Sequence, residues 1–279
     1  MNLHELILTK NDCYKSNRWI TPKGVMVHST GANNPNLRRY VGPDDGLLGP
    51  NSNNNHWNKS GTGACVHGFI GKLKDGTIAT YQTLPWNMRG WHAGTGTSGK
   101  SANNTHISFE ICEDGLRDPT YFNKVYKEAV ELTAYLCMMY DLNPLADGVV
   151  ICHSEGYKRG IASNHADVMH WFPKFGKSMD TFRKDVDDVI KTGGLFMDEK
   201  TMKKFVEDIP SELAYKLVMK AMNYASTLKV PEGDWQEPGL KTCKEKGIMA
   251  GDKSGNQMAY KFCTRGELAT MLARMLELK

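Results

Sequence analysis

The sequence predicts an α/β fold: a mixed central β-sheet flanked by helices, followed by a small all-α C-terminal domain. Three observations lead there. Short apolar or alternating runs recur at GVMVHST (24–30), CVHGFIGKLKDGTIATYQTL (65–84), THISFEIC (105–112) and GVVIC (148–152). Segments with apolar residues at helical spacing lie between and after them. All nine histidines precede position 171, so the C-terminal stretch differs in composition and in any imidazole chemistry.

GVMVHST reads as a buried strand fixed by Val25 and Val27. The segment from Asn33 to Ser60, through PDDGLLGPNSNNNHWN, is rich in Asn, Gly and Pro and has little periodicity. A loop of that length in a compact domain is usually functional or disordered. It is expected to form a rim beside His28. Two alternating runs around Asp75-Gly76 predict a hairpin. In THISFEIC, Ile107, Phe109 and Ile111 share one face, and Ser108 and Glu110 the other. Val125, Ala129, Leu132, Leu136 and Met139 predict an amphipathic helix over 122–140. GVVIC is a second buried strand, and MDTFRKDVDDVI opens a helix with Asp180 in its first turn.

Gly193-Gly194 follow that helix and mark a linker over 193–202, dividing a domain at 1–192 from one at 203–279. The latter holds three helix-like segments. One opens at Pro210-Ser211-Glu212, with Leu213, Leu217 and Ala221 at spacing four. A second runs from Trp235 to Lys246, with Gly247 as C-cap. Thr264 to Glu267 form a capping box before the third. Met219, Met222, Met271 and Met275 read as core.

Composition excludes several classes. The 279 residues suffice for one large or two unequal domains, and 24% charged with 40% hydrophobic residues exclude a disordered or collagen-like chain. No apolar run approaches the ~20 residues of a membrane helix, so no membrane insertion is expected. A net charge of +4 is too weak to argue for nucleic acid. The first residues lack a basic region followed by an apolar core, so no secretory signal is expected and synthesis is read as cytoplasmic. The seven cysteines are odd in number and form no C-x-x-C pair. Cys65, Cys112, Cys137 and Cys152 sit in apolar patterns and are expected as buried reduced thiols. Zinc held by cysteine alone is therefore disfavoured.

The chemistry-bearing residues stand at strand and helix ends. His28 ends the first strand, His153 a later one, and Asp180 opens a helix. Two imidazoles and a carboxylate leave tetrahedral zinc one open position, the catalytic arrangement. His165 and His170 compete as ligands or serve as loop hydrogen-bond donors.

VHST, the DGTI hairpin, NMRGWHAG, ISFEICED and the CHSEG strand end occur in that order. Together, over roughly residues 20–190, they resemble the zinc N-acetylmuramoyl-L-alanine amidases of the phage-endolysin and peptidoglycan-recognition-protein superfamily. SNHADVMHWFPKFGKSMDTFR resembles a segment of a phage and prophage subset. The resemblance implies Zn2+ held by His28, His153 and Asp180, with Glu110 as general base. The separation of His153 from Asp180 exceeds that of compact relatives, which leaves His170 as a reserve ligand.

Lys177 lies three residues before Asp180, where relatives with a catalytic lysine place it two before. It reads either as an oxyanion-stabilising cation or as a solvated charge. Trp91 and His92 resemble the family's groove-lining motif, and His67 and Tyr81 are placed in the same cleft, each with a core role as alternative. EKGIMAGD followed by CTRGELATMLARML resembles an S-layer-homology-like module, which implies a wall-polymer partner; a purely helical stabilising or dimerising domain is the alternative. The expected function is a peptidoglycan hydrolase of endolysin type, acting at the bacterial cell wall. A catalytically silent peptidoglycan binder and a cytosolic muropeptide-recycling amidase are the other classes, and oligomeric state is left open.

Overall fold

The buried apolar runs become strands. In the computed structural model these are Leu3–Glu5 (β1), Gly24–Asn33 (β2), Gly68–Lys72 (β3), Ile78–Gln82 (β4), His106–Glu113 (β5) and Val150–Cys152 (β6). The helices are Asp12–Lys15 (α1), Pro119–Met139 (α2), His153–Lys158 (α3) and Met179–Thr192 (α4). The structure describes residues 1–192 and two isolated positions, Pro210 and Glu245, so the expected linker and C-terminal helical domain fall outside the described residues.

The six strands form one sheet in the order β1-β4-β3-β5-β2-β6. Only the β3–β4 hairpin is antiparallel; β1 with β4, β3 with β5, β5 with β2 and β2 with β6 are parallel. The mixed α/β architecture is thus the expected one. Central β2 has parallel neighbours on both sides, so its first six residues are buried and read as a nearly continuous apolar run. Gly76, with φ of +85°, makes the hairpin turn at the expected place.

Alternation along the strands divides the molecule into two layers. Val25, Val27, Ile107, Phe109 and Ile111 point toward α2 and share its core. Met26 and Ile151 point the other way, against Ala93, Ala102 and Ala162. Asp118 caps α2 by accepting from the Thr120 and Tyr121 amides, with Pro119 at its first position. Met179, Phe182 and Val186 lie on one face of α4 and pack into the α2 core with Tyr126 and Phe172.

Three features depart from expectation. The segment after β2 is not a rim loop beside His28: Leu37, Tyr40, Val41 and Leu48 bury in a cluster with Phe69 and Tyr81 on the hairpin side of the sheet. Cys65 is not a reduced thiol, because a disulfide joins it to Cys13 across 52 residues; Cys112, Cys137 and Cys152 are buried and free. His153 does not end a strand but opens α3. The short elements β1, α1 and α3 carry too few residues for a periodic signal.

Candidate metal centre and its pocket

Parallel strands deliver their C-terminal ends to one edge of a sheet, where sites in open α/β folds form. Here that edge receives His28 from β2, Glu110 from β5 and His153 just after β6. Glu110 is the register partner of His28, and both lie on the face opposite the α2 core. These residues line a pocket of about 360 Å³ together with His92, His165, Asp167, His170 and the Ser29–Gly31 backbone turn.

The protons in this pocket can be placed from its hydrogen bonds. His92 Nε2 lies 3.3 Å from the His106 carbonyl, which can only accept, so that nitrogen donates and Nδ1 is an acceptor. His28 Nε2, 3.0 Å from His92 Nδ1, therefore donates. Ser163 Oγ gives its proton to the Ala93 carbonyl at 3.2 Å and accepts from His153 Nε2 at 3.3 Å. In their neutral forms both histidines are thus left with the Nδ1 lone pair facing inward, while protonated His28 donates from Nδ1 to Asp167. These two nitrogens are 3.1 Å apart. Asp167 meets them with Oδ2 at 2.9 Å from His28 Nδ1 and Oδ1 at 3.6 Å from His153 Nδ1.

Two lone pairs and a carboxylate converging in a buried place call for a cation. Ligand atoms bound tetrahedrally at zinc's ~2.0–2.1 Å would lie about 3.3 Å from one another. The two imidazole nitrogens stand 3.1 Å apart, close to that value, and one donor atom from each of the three residues lies within 4.8 Å of the others. Among the described residues, His28, His153 and Asp167 are the group whose donor atoms converge in this way. The outer contacts through His92 and Ser163 match the support that metal-ligating imidazoles require.

Electrostatics follow the same geometry. Burial alone would depress His28, but the hydrogen bond and charge of Asp167, with the charge of Glu110, raise its pKa. His153 is pushed down to about 4 by burial and by the charges of His28 and His165. Burial would raise Asp167, yet the hydrogen bond and charge of His28 hold it below the ordinary carboxylate value. Glu110 is lifted to about 8, mainly by burial, against the pull of His28 and with the push of Asp167 and Glu113. Its Oε2 is buried without a hydrogen-bond partner.

The other expected site residues are dispersed. Asp180 is the second residue of α4, and its carboxylate is 91% exposed and bonded to Arg183 at 2.6 Å. The apolar face of α4 turns inward onto α2, which sends Asp180 to solvent. The carboxylate beside the imidazoles is Asp167, from the inserted segment between α3 and α4. Lys177 pairs with Asp185 at 2.8 Å and sits over the Tyr126 ring, outside the pocket. Its side chain is spent on the α2–α4 contact. His170 bonds Glu113 at 2.9 Å on the pocket wall and is not in the converging donor group.

His92 lines the pocket, whereas Trp91 bridges to Cys65 and packs against a small cluster around the disulfide. His67 is fully buried behind His92, donating to the Met88 carbonyl at 2.7 Å and accepting from the Ser108 amide at 3.0 Å. Tyr81 is buried too, its hydroxyl donating to Asp45 at 2.6 Å. Asp167, Ser163 and Glu113 were not singled out from sequence. The available signal for Asp167 was its place between His165 and His170 in an otherwise unpatterned insertion.

Comparison with known proteins adds the lineage. The described fold resembles the hydrolase AmiA of Staphylococcus aureus in complex with its ligand, at 19% identity and a TM-score of 0.48, over 69% of this chain and 86% of that one. It resembles PlyL at 19% identity and 0.45, over 67% and 96%. The catalytic domain of XlyA matches at 22% identity and 0.45, over 67% and 99%. Among curated proteins none matches. The family model for N-acetylmuramoyl-L-alanine amidase matches residues 18–170, a span that holds His28, Glu110, His153 and Asp167 and exceeds half of the chain. On that match the chain belongs to the N-acetylmuramoyl-L-alanine amidase family.

Proposed function

We propose that this protein is a zinc-dependent peptidoglycan hydrolase cleaving the amide between N-acetylmuramic acid and L-alanine. The observation that supports this most is the convergence of two inward Nδ1 lone pairs and the Asp167 carboxylate beside the partnerless Glu110 Oε2. His28, His153 and Asp167 would hold the metal. Zinc bound there supplies Lewis-acid activation of water and of the scissile carbonyl.

The chain's own groups do the rest. Glu110, whose pKa of about 8 lies near neutral operating pH, takes the proton of the attacking water at Oε2. It then returns that proton to the departing L-alanine nitrogen. His165, on the pocket wall and 3.3 Å from His153, would donate to the carbonyl oxygen as charge develops; Lys177 is committed to Asp185. His92 keeps the His28 ring turned, so its role is positioning. His67 and Tyr81 serve packing, and Trp91 borders the disulfide.

The reading extends to residues 203–279 as a module that holds the enzyme on wall polymer, on the strength of EKGIMAGD and CTRGELATMLARML. An endolysin-type life, made in the cytoplasm and acting at the wall, fits the sequence.

The deciding experiment applies purified protein to isolated cell walls and counts new L-alanine amino groups against new reducing ends. Amino groups that vanish with chelator and return with zinc are expected; reducing ends would sink the assignment. Glu110→Gln is expected to keep its metal and lose ~10²–10⁴ in kcat. A variant with undiminished turnover would remove Glu110 from the chemistry.

A further inference from the structure

A second cavity, of about 430 Å³, lies in the Asn-rich segment that follows β2 and is separate in its lining from the metal pocket. Its walls are Lys10, Pro43, Asn54, His56, Lys59 and Ser60, over a floor at Asn58. We propose that this cavity is a binding site for an anionic group, phosphoryl or carboxylate. The proposal is independent of the amidase reading.

One buried residue builds the site. Asn58 Oδ1 accepts from the Lys10 amide at 2.8 Å, and its Nδ2 donates to the Gly42 carbonyl at 3.0 Å. Its own amide donates to His56 Nδ1 at 3.2 Å. Asn58 therefore ties the Lys10 arm, the Gly42-Pro43 wall and the His56 wall together. Because His56 Nδ1 accepts, the neutral ring carries its proton on Nε2, which leaves a donor for a ligand. The ring is also held from behind: a Cβ at Gly42 would come within 2.5 Å of His56 Cδ2. No rotation toward Gly42 is open to it.

The charge in the cavity is positive. Neither Lys10 nor Lys59 has a carboxylate partner among the described residues, and Lys59 Nζ donates to the Asn54 carbonyl. The nearby acid, Asp12, is already engaged by Ser60 Oγ at 2.9 Å and the Gly61 amide at 2.7 Å. Burial first, and then the charges of Lys59 and Lys10, depress the His56 pKa, so the ring stands neutral beside two ammonium groups. Two ammonium groups and an imidazole N–H around one cavity are the donors an oxyanion uses.

The test is nitrogen-15 NMR of histidine side chains in the whole chain at pH 7.5, with the His56 signal assigned by its loss in His56→Gln. Inorganic phosphate and acetate are titrated separately at constant ionic strength. A saturable shift of the His56 Nε2 signal is expected. Lys10→Gln should weaken that binding ~10-fold or more, the usual effect of losing a charge-assisted hydrogen bond. Gly42→Ala, which alters no charge, should weaken it by displacing the His56 ring. A response to phosphate alone assigns a phosphoryl ligand, and a response to both anions includes carboxylates. No saturable shift, or equal shifts in wild type and Lys10→Gln, overturns the site.

Discussion

At the scale of single residues, two aspartates thirteen positions apart have opposite fates, and substitution separates them. Asp167→Ala is expected to lower zinc affinity by at least ~100-fold, since even outer-sphere losses cost 10–100-fold. Asp180→Ala removes one exposed partner of Arg183 and should change affinity and activity by less than about twofold. Metal content after dialysis against a graded chelator reads both; equal behaviour of the two variants would contradict the assigned ligand set. His67 gives a pH prediction. Its folded pKa is held at about 4 by burial, below the ordinary 6.5, so between those values the unfolded chain binds more protons. Stability is then full above pH 6.5 and declines as pH falls toward 4, with about 2 kcal/mol lost by pH 5. Urea titrations at pH 7 and pH 5 check this, and His67→Gln should show a shallower decline. His28, Glu110 and His92 were legible because strand alternation and neighbouring motifs say where they point. Asp167 was not, because an unpatterned insertion offers no period from which to read direction. His67 and Tyr81 were legible as members of the hairpin but not as core, since a polar atom satisfied inside looks the same in sequence as one facing a cleft.

At the scale of elements, α4 explains how a carboxylate at a helix start can be misplaced by sequence. The helix is oriented by Met179, Phe182 and Val186, three buried side chains against α2. One residue along from Met179, Asp180 must face away. Phe182→Ala should destabilise the domain by about 3–5 kcal/mol, the cost of deleting a fully buried ring. Zinc affinity per folded molecule should be unchanged, because among the described residues α4 adds no side chain to the converging donor group. Loss of metal binding in the folded fraction would show that α4 supports the site after all. The strands and long helices were readable because each buries one regular face. The pieces that were not readable, β1 and α1, are three and four residues long and are held by pairing and capping rather than by pattern.

At the scale of the molecule, the Cys13–Cys65 disulfide fastens the N-terminal arm to the segment leading into the hairpin. Chain-entropy reasoning for a 52-residue separation assigns it about 4 kcal/mol. Reductant should therefore lower Tm by about 10 °C in a domain of this size, and a Cys13→Ser, Cys65→Ser double variant should be insensitive to reductant. A melting curve indifferent to reductant in the wild type would argue that the bond does not contribute. Such a bond forms in oxidising surroundings and is opened in reducing ones.

The order in which the chain supplies the residues of the candidate metal centre has a consequence for biosynthesis. His28 emerges early and Glu110 pairs beside it once β5 has formed, yet Asp167 arrives 139 residues after His28. A nascent polypeptide can therefore supply all six strands of its sheet while the candidate centre still lacks Asp167. The candidate centre is complete only when the segment between α3 and α4 lies over the sheet edge. A ribosome-tethered or prematurely ended product stopping short of that segment would lack Asp167 and also the Trp171, Phe172 and Phe182 side chains that close the α2 core, so centre and core are completed together.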